Sequence, residues 1–129
     1  MTSVVLVVDD IRSYRREHRD KLARYDDVEV LEAGTLEELD AVFAANRDRI
    51  DAIILDGRLT RIPDEEDDPQ PDTMDFVRRA RSEGFDGLIV AASNAEEFND
   101  QLVEAGCDAG AIKYRAVKEV VERLNLVRE

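Results

Sequence analysis

Several residue types are scarce in this chain, and each scarcity excludes a class of protein. Among 129 residues only Cys107 is a cysteine, so an internal disulfide is impossible and a cysteine-based zinc site lacks partners. No apolar run approaches the ~18 residues that a membrane helix needs. The first ten residues carry no basic region and predict a strand rather than a signal peptide. A lone thiol suits a reducing compartment, so we expect a cytoplasmic protein.

Basic residues are scarce as well. The chain has 18 lysines and arginines against 31 aspartates and glutamates, which gives a formal charge of -13. Nucleic acids and anionic membranes bind to basic protein surfaces, so the excess of acidic residues argues against both as partners. It permits basic proteins and divalent cations as partners. Only three residues are lysines, namely Lys21, Lys113 and Lys118.

The length and the apolar fraction of 43% predict one domain, residues 1–129, with a real core and no separate output module. Five short apolar runs, rich in β-branched residues, are typical of parallel strands that are covered on both faces. These runs lie at residues 4–8, 28–31, 52–55, 88–92 and 109–112.

Amphipathic segments separate the strands and predict five helices, because their apolar residues recur every three or four positions. The first such segment runs from residue 11 to residue 25, and the second and fourth open with capping-box matches at 35–38 and 93–96. Strict alternation of strand and helix predicts an α/β fold: a flavodoxin-like, doubly wound, five-stranded parallel sheet, (βα)5, with strand order 2-1-3-4-5.

One connection breaks this regularity. Residues 59–71, after the third strand, have no periodic pattern and exceed the usual ~2–6 residues of such a connection about twofold. They hold all three prolines and the acidic run Asp-Glu-Glu-Asp-Asp at 64–68. The composition favours a solvated surface insertion, and the alternative is a lid or docking loop beside a site.

Polar residues stand where four of the strands end: Asp9 and Asp10, Asp56, Ser93, and Lys113. The carboxyl ends of parallel strands open on one edge, so three carboxylates and one ammonium should converge there. At ~5 Å and an effective dielectric of ~20, each carboxylate pair costs on the order of 3 kcal/mol. A hard cation such as Mg²⁺ would offset this cost, and a metal with a lysine around a nucleophilic carboxylate suits phosphoryl transfer.

At these positions the chain resembles the receiver domains of bacterial two-component response regulators. The resemblance covers essentially the whole chain. It rests on four segments: Val-Val-Leu-Val-Val-Asp-Asp at 4–10, Ala-Ile-Ile-Leu-Asp at 52–56, Glu-Ala-Gly-Cys-Asp-Ala-Gly at 104–110, and Ile-Lys at 112–113.

The resemblance implies a role for each matching residue. Asp56 would accept a phosphoryl group from a histidine kinase or phosphorelay. Asp9 and Asp10 would position Mg²⁺, with Asp10 as the direct ligand, and the backbone carbonyl of Arg58 would also face the metal. Lys113 would pair with the phosphoryl group.

Three departures from receiver domains concern the relay of phosphorylation to the surface. The family usually has a threonine or serine at the end of strand four, where this chain has Ala91 or Ala92, with Ser93 as the nearest hydroxyl. Gly110 stands where an aromatic residue is usual, and Tyr114 stands where a cis proline usually follows the lysine. The sequence therefore predicts a complete acidic pocket with a degraded switch.

Each candidate also has a plain structural interpretation. Asp9 and Asp10 could cap the first helix, Asp56 could be an ordinary loop residue, and Lys113 could be a solvated residue at the start of helix five. His18 has no partner histidine or cysteine and is expected to be a half-buried helix residue.

Together these features predict a stand-alone, cytoplasmic receiver that is not an enzyme and that accepts a phosphoryl group on Asp56 with Mg²⁺ as cofactor. Its partners would be a histidine kinase or phosphotransfer protein and a downstream protein, and it would be a monomer or weak homodimer. The alternative is a pseudo-receiver that signals without phosphorylation. A third interpretation, a Mg²⁺-dependent phosphatase or related hydrolase, lacks a general acid/base residue and a substrate cavity.

Overall fold

Five strands alternate with five helices along the chain, as predicted. In the computed structural model, which describes residues 2–60 and 70–129, the strands are β1 (Ser3–Val8), β2 (Val28–Ala33), β3 (Ala52–Leu55), β4 (Leu88–Ala92) and β5 (Ala109–Ala111). The helices are α1 (Arg12–Leu22), α2 (Leu36–Asn46), α3 (Met74–Ser82), α4 (Glu96–Ala105) and α5 (Ala116–Leu124), with a 3-10 turn, Lys113–Arg115, before α5.

All five strands are parallel, in the order β2-β1-β3-β4-β5. The predicted flavodoxin-like topology is therefore confirmed. The chain leaves β1 towards β2 and then returns to the other side of β1 with β3, so the crevice of this fold opens between β1 and β3. Within the described residues, no helix is long and apolar enough to cross a membrane.

The sheet separates two apolar cores. Alternate residues of β1 point to opposite faces, so Leu6 and Val8 belong to one core and Val5 and Val7 to the other. All four are essentially inaccessible to solvent. Burial on both faces explains why the strands appear in the sequence as unbroken apolar runs.

The two predicted capping boxes have different outcomes. At α2 the prediction is confirmed: the Thr35 hydroxyl accepts from the Glu38 N–H at 3.0 Å, and the Glu38 carboxylate accepts from the Gly34 N–H at 2.8 Å. At α4 the prediction is wrong. The Ser93 hydroxyl accepts from the N–H of Ala95 at 3.0 Å, and this turn delays the helix until residue 96.

The first helix is shorter than predicted. It ends at Leu22, whereas the pattern predicted helical positions as far as Tyr25. Tyr25 instead pairs with Arg128 in an isolated antiparallel bridge, and the Asp26 N–H donates to the Val127 carbonyl at 2.8 Å. The C-terminal segment thus forms hydrogen bonds with the backbone groups that follow α1. Local periodicity does not reveal this long-range contact.

The connection after β3 is anchored at both ends. Leu59 and Pro71 are buried, so the prediction of a solvated insertion over 59–71 is wrong at its ends. Asp72 accepts from the N–H groups of Leu59 and Thr60, both at 2.8 Å. The acidic run predicted at 64–68 lies outside the described residues.

Candidate functional site

Three carboxylates meet at the carboxyl edge of the sheet. Asp9 and Asp10 follow β1 and Asp56 follows β3, and the register that pairs Val8 with Leu55 sets them side by side. One oxygen from each carboxylate lies within 4.8 Å of the other two. Asp9 and Asp56 are buried and Asp10 is half-buried. An all-oxygen donor set at this spacing fits a hard cation such as Mg²⁺.

Lys113 places its ammonium between two of these carboxylates. Its Nζ lies 2.9 Å from Asp9 Oδ2 and 3.4 Å from Asp56 Oδ2, and 4.2 Å from the centre of the Tyr14 ring. Only 6% of the residue is exposed, so the plain interpretation of Lys113 as a solvated residue is wrong. Burial lowers the pKa of Lys113, but the hydrogen bond to Asp9 and the charge of Asp56 outweigh burial and raise it.

The plain interpretation of Asp9 as the cap of the first helix is wrong, because Ile11 occupies the N-cap position of α1. Asp9 Oδ1 instead accepts from the N–H of Ile11 at 2.9 Å, one step before the helix begins. Its Oδ2 remains with Lys113. Asp9 therefore both fixes the start of α1 and belongs to the charged cluster.

Asp56 is 4% exposed, which excludes its plain interpretation as an ordinary loop residue. Burial raises the pKa of Asp56 to about 7, the charges of Asp9 and Asp10 act in the same direction, and Lys113 and the Arg58 N–H oppose them. Without a further cation the carboxyl therefore keeps its proton to a higher pH than an ordinary aspartate does. A metal ion in the cluster would favour the ionised, nucleophilic form.

A cavity of about 390 Å³ opens over Asp56 and Lys113. The rings of Tyr14 and Phe98 contribute to its wall, as does Arg58. A Cβ added to Gly57 would lie 3.1 Å from the Phe98 ring, so the residue after the carboxylate must be small for α4 to approach. The guanidinium Nε of Arg58 donates to the Thr60 carbonyl at 3.1 Å, and the metal contact of the Arg58 carbonyl stays a prediction.

The structure was compared with known proteins to identify its fold. No protein-family model and no curated protein matches the sequence. The structure is similar to the chemotaxis response regulator CheY4 of Vibrio cholerae, with a TM-score of 0.69 and 21% identity over 96% of this chain and 99% of that chain. It is also similar to a response regulator from Thermotoga maritima, with a TM-score of 0.70 and 20% identity over 97% and 96% of the two chains.

A LuxR-family two-component response regulator from Aurantimonas sp. SI85-9A1 is similar as well, with a TM-score of 0.73 and 20% identity over 97% of this chain and 84% of that chain. The chain has the receiver fold. The resemblance predicted from the sequence is thereby confirmed for the fold.

In this receiver fold, the predicted switch positions are divided between the core and the cavity. Ala91 and Ala92 are buried in the two cores on opposite faces of the sheet. Ser93 lines the cavity, where its hydroxyl oxygen accepts from the Ala95 N–H. The hydroxyl beside the cavity therefore comes one or two residues later than Ala91 or Ala92, where the resemblance to receiver domains predicts it.

Sequence analysis missed Asn99, which is buried on the inner side of α4. Its Nδ2 donates to the carbonyls of Ser93 and Ala111 at 2.9 and 3.0 Å, and its Oδ1 accepts from the Ser93 N–H at 3.0 Å. One side chain thus joins the end of β4 to the end of β5. The only signal in the sequence is a polar residue three positions before Leu102, on the apolar side of the helix.

Thr73 is a second missed residue. It is fully buried, and its hydroxyl lies within hydrogen-bonding distance of the carbonyls of Asp56 and Gly57, at 2.9 and 3.1 Å. This contact ties the start of α3 to the backbone of the candidate phosphoacceptor.

The prediction of a half-buried His18 is wrong, because the residue is 1% exposed. Neither ring nitrogen has a hydrogen-bond partner among the described residues. Burial lowers the pKa of His18, although the charge of Asp9 opposes this shift. The ring is therefore neutral at physiological pH and packs as part of the α1 inner face.

Proposed function

We propose that the chain is a response-regulator receiver that accepts a phosphoryl group on Asp56 from a histidine kinase or phosphotransfer protein, with Mg²⁺ as cofactor. The observation that carries this proposal is the convergence of Asp9, Asp10 and Asp56 within 4.8 Å, with the Lys113 ammonium between two of them.

The transfer follows from the charges in the cluster. A carboxylate oxygen of Asp56 attacks the phosphorus of a phosphohistidine; a P–O bond forms, the P–N bond breaks, and the electron pair leaves with the imidazole. The Lys113 ammonium lies where it can neutralise a phosphoryl oxygen. Asp9, Asp10, Asp56 and the Arg58 carbonyl would hold Mg²⁺, which when bound supplies further positive charge to the transferring oxygens.

The remaining parts of the proposal concern the setting of this reaction. The chain receives a phosphoryl group and does not turn over a substrate as an enzyme does. It acts in the cytoplasm as a monomer or weak homodimer and signals through a downstream protein. The high net negative charge supports a protein partner over a nucleic acid.

Acetyl phosphate with Mg²⁺ tests the proposal most directly, because it supplies the phosphoryl group without a kinase. We expect the intact mass to increase by one phosphoryl group in the parent protein and in Asp75→Asn, whose carboxylate is exposed on α3. Asp56→Asn should show no increase. An unmodified parent protein, or an adduct that survives Asp56→Asn, would contradict the proposal.

One observation favours a second candidate, a pseudo-receiver that signals without phosphorylation. Asn99 bonds the ends of β4 and β5, close to the glycine that replaces the usual aromatic residue, and this contact supports a candidate that lacks the usual relay. This candidate predicts Mg²⁺ binding, seen as a higher melting temperature, with no mass increase in acetyl phosphate.

A further inference from the structure

A basic groove lies between the end of α1, the 3-10 turn, the start of α5 and the C-terminal segment. Its volume is about 570 Å³. No carboxylate of the described residues lines it. The cationic side chains that line it are Lys21, Arg24, Arg115, Lys118 and Arg128. Five of the 18 basic residues thus gather in one concavity of a chain whose formal charge is -13.

Within the described residues, three of these five cations form no ion pair. Lys21 pairs with Glu17 at 3.1 Å, and Lys118 lies 4.0 Å from Glu122. Three arginines, Arg24, Arg115 and Arg128, have no carboxylate within 4.0 Å among the residues that the structure describes. Like charges that are held together without partners repel one another, so the groove favours an anion.

Backbone contacts fix the segments that carry these cations. The bridge between Tyr25 and Arg128 fixes the C-terminal segment beside the end of α1. The Glu129 N–H donates to the Arg24 carbonyl at 2.9 Å, so the backbones that carry Arg24 and Arg128 lie side by side. The fold therefore builds this cluster from segments that are about a hundred residues apart.

An aromatic ring stands at the edge of the groove. Tyr114 is 74% exposed, yet it contacts Lys21 in two ways. The Lys21 Nζ lies 4.4 Å from the centre of the Tyr114 ring, and it donates to the Tyr114 carbonyl at 3.2 Å. A flat ring that is accessible beside several cations suits a ligand with a planar base next to phosphates.

We propose that this groove binds a nucleoside di- or triphosphate, with the phosphates on the arginines and the base against Tyr114. A guanidinium group can donate two parallel hydrogen bonds to the oxygens of one phosphate. The volume of the groove also falls within the ~300–1,000 Å³ of small-molecule sites. A long polyanion would reach beyond the groove by more than the ~8 Å screening length, and the acidic surface there would repel it. A nucleotide is short enough to stay inside the groove.

The site is distinct from the phosphoacceptor cavity, and the proposal does not rest on phosphorylation of Asp56. The two are neighbours through the 3-10 turn, where Lys113 faces the acidic cluster while Tyr114 and Arg115 face the groove. Amide signals of this turn should therefore report on occupancy.

Titration of the metal-free protein in EDTA tests the proposal, with ATP and GTP as probes and amide chemical shifts and calorimetry as readouts. Tripolyphosphate serves as the base-free comparison and a hexaglutamate peptide as the acidic-segment comparison. We expect both nucleotides to shift residues 21–25, 114–118 and 128, and to bind more tightly than either comparison compound.

Two triple variants with equal charge change separate the groove from general electrostatics. Neutralising the unpaired arginines, in Arg24→Gln, Arg115→Gln, Arg128→Gln, should weaken ATP binding roughly tenfold or more. The control neutralises arginines that form exposed ion pairs elsewhere and should change affinity about twofold or less. Its substitutions are Arg49→Gln, Arg78→Gln and Arg79→Gln.

Variants of Tyr114 isolate the contribution of the base. Tyr114→Ala should weaken ATP binding about fivefold or more, leave tripolyphosphate binding unchanged, and be rescued by Tyr114→Phe. The absence of binding at millimolar nucleotide, equal losses in the two triple variants, or shifts centred on Asp56 would overturn the proposal. So would tighter binding of hexaglutamate, which indicates an acidic protein segment, or equal affinity for tripolyphosphate and ATP, which indicates bare phosphate.

Discussion

A Cβ added to Gly110 would lie 2.8 Å from the Cβ of Asn99, closer than side-chain carbons approach in proteins. The end of β5 therefore fits against α4 only because position 110 has no side chain. The side chain of Asn99, which faces this glycine, bonds the carbonyls of Ser93 and Ala111. Where receiver domains usually place a mobile aromatic ring, this chain has a fixed hydrogen-bonded contact.

Gly110→Ala should destabilise the protein by ~1–3 kcal/mol, because the added methyl group forces α4 and β5 apart. Urea unfolding measures this loss. The same substitution in an Asn99→Gly background should cost less, since the opposing Cβ is gone, and the double-mutant cycle removes the general cost of glycine in a helix. An equal loss in both backgrounds would show that the two positions do not compete for space.

Phosphorylation of Asp56, or binding of its beryllofluoride mimic, should change little along α5. A ligand shifts a conformational equilibrium only by its differential affinity for two states, and the Asn99 contacts favour one arrangement of β4, β5 and α4. We expect large amide shifts at residues 56–60 and at Lys113, and small shifts over 116–124. Large shifts throughout α5 would show that Ser93 restores a relay.

The stability of the metal-free protein should depend on Asp56 between about pH 4 and pH 7. Its pKa is raised from 3.8 to about 7 in the folded state, so across this interval the unfolded chain has lost a proton that the folded chain keeps. Stability therefore falls as pH rises through this window and levels off above pH 7. Asp56→Asn should be more stable than the parent by ~1–3 kcal/mol at pH 8, with the difference vanishing near pH 4.

Unfolding of the parent and Asp56→Asn at several pH values in EDTA checks this prediction. Asp75→Asn is the matched control, since it removes an exposed carboxylate. A stability difference that is independent of pH would mean that the carboxyl of Asp56 is ionised throughout.

His18 should act in the opposite direction. Burial lowers its pKa from 6.5, so below pH 6.5 the unfolded chain binds a proton that the folded chain does not. Stability is full above pH 6.5 and falls with decreasing pH, by up to ~1.4 kcal/mol per pH unit, until the folded-state pKa is reached. In an Asp56→Asn background, His18→Leu should abolish this decline between pH 6.5 and 5; because the chain has one histidine, a decline that persists would assign it to other groups.

Magnesium affinity should increase with pH up to about pH 7 and then level off. Binding favours the ionised Asp56, whose pKa is raised to about 7, so the metal must displace a proton at lower pH. At 100 times the dissociation constant, Mg²⁺ should stabilise the protein by ~2.7 kcal/mol, seen as a higher melting temperature at constant ionic strength. Asp56→Asn should bind more weakly and without this pH dependence; an unchanged melting curve in the parent would mean that the cluster holds no metal.

The sequence was most informative where local pattern determines structure. Unbroken apolar runs predicted the strands, and because strand ends of a parallel sheet share one edge, they also predicted that Asp9, Asp56 and Lys113 would meet. Thr35 caps α2 through a contact three residues away, which local sequence can reveal.

The features that were missed depend on long-range contacts. Asn99 on α4 lies against Gly110 on β5, and this contact requires a glycine at position 110. The burial of His18 depends on how α1 packs. The basic groove holds Arg24 and Arg128, which the bridge between Tyr25 and Arg128 brings together, and periodicity does not predict that bridge. Ser93 matched a capping motif in sequence, yet its hydroxyl closes a turn before the helix begins.

The two hydrogen bonds of Asp72 make the loop after β3 a natural point of insertion. Because this carboxylate holds Leu59 and Thr60 next to the start of α3, chain added between residues 60 and 70 need not transmit any displacement to Asp56. Each doubling of the length of such a loop costs only ~0.6 kcal/mol of closure entropy. An epitope tag, a fluorescent domain or new chain termini could therefore be introduced here while the sheet and its carboxylates keep their geometry.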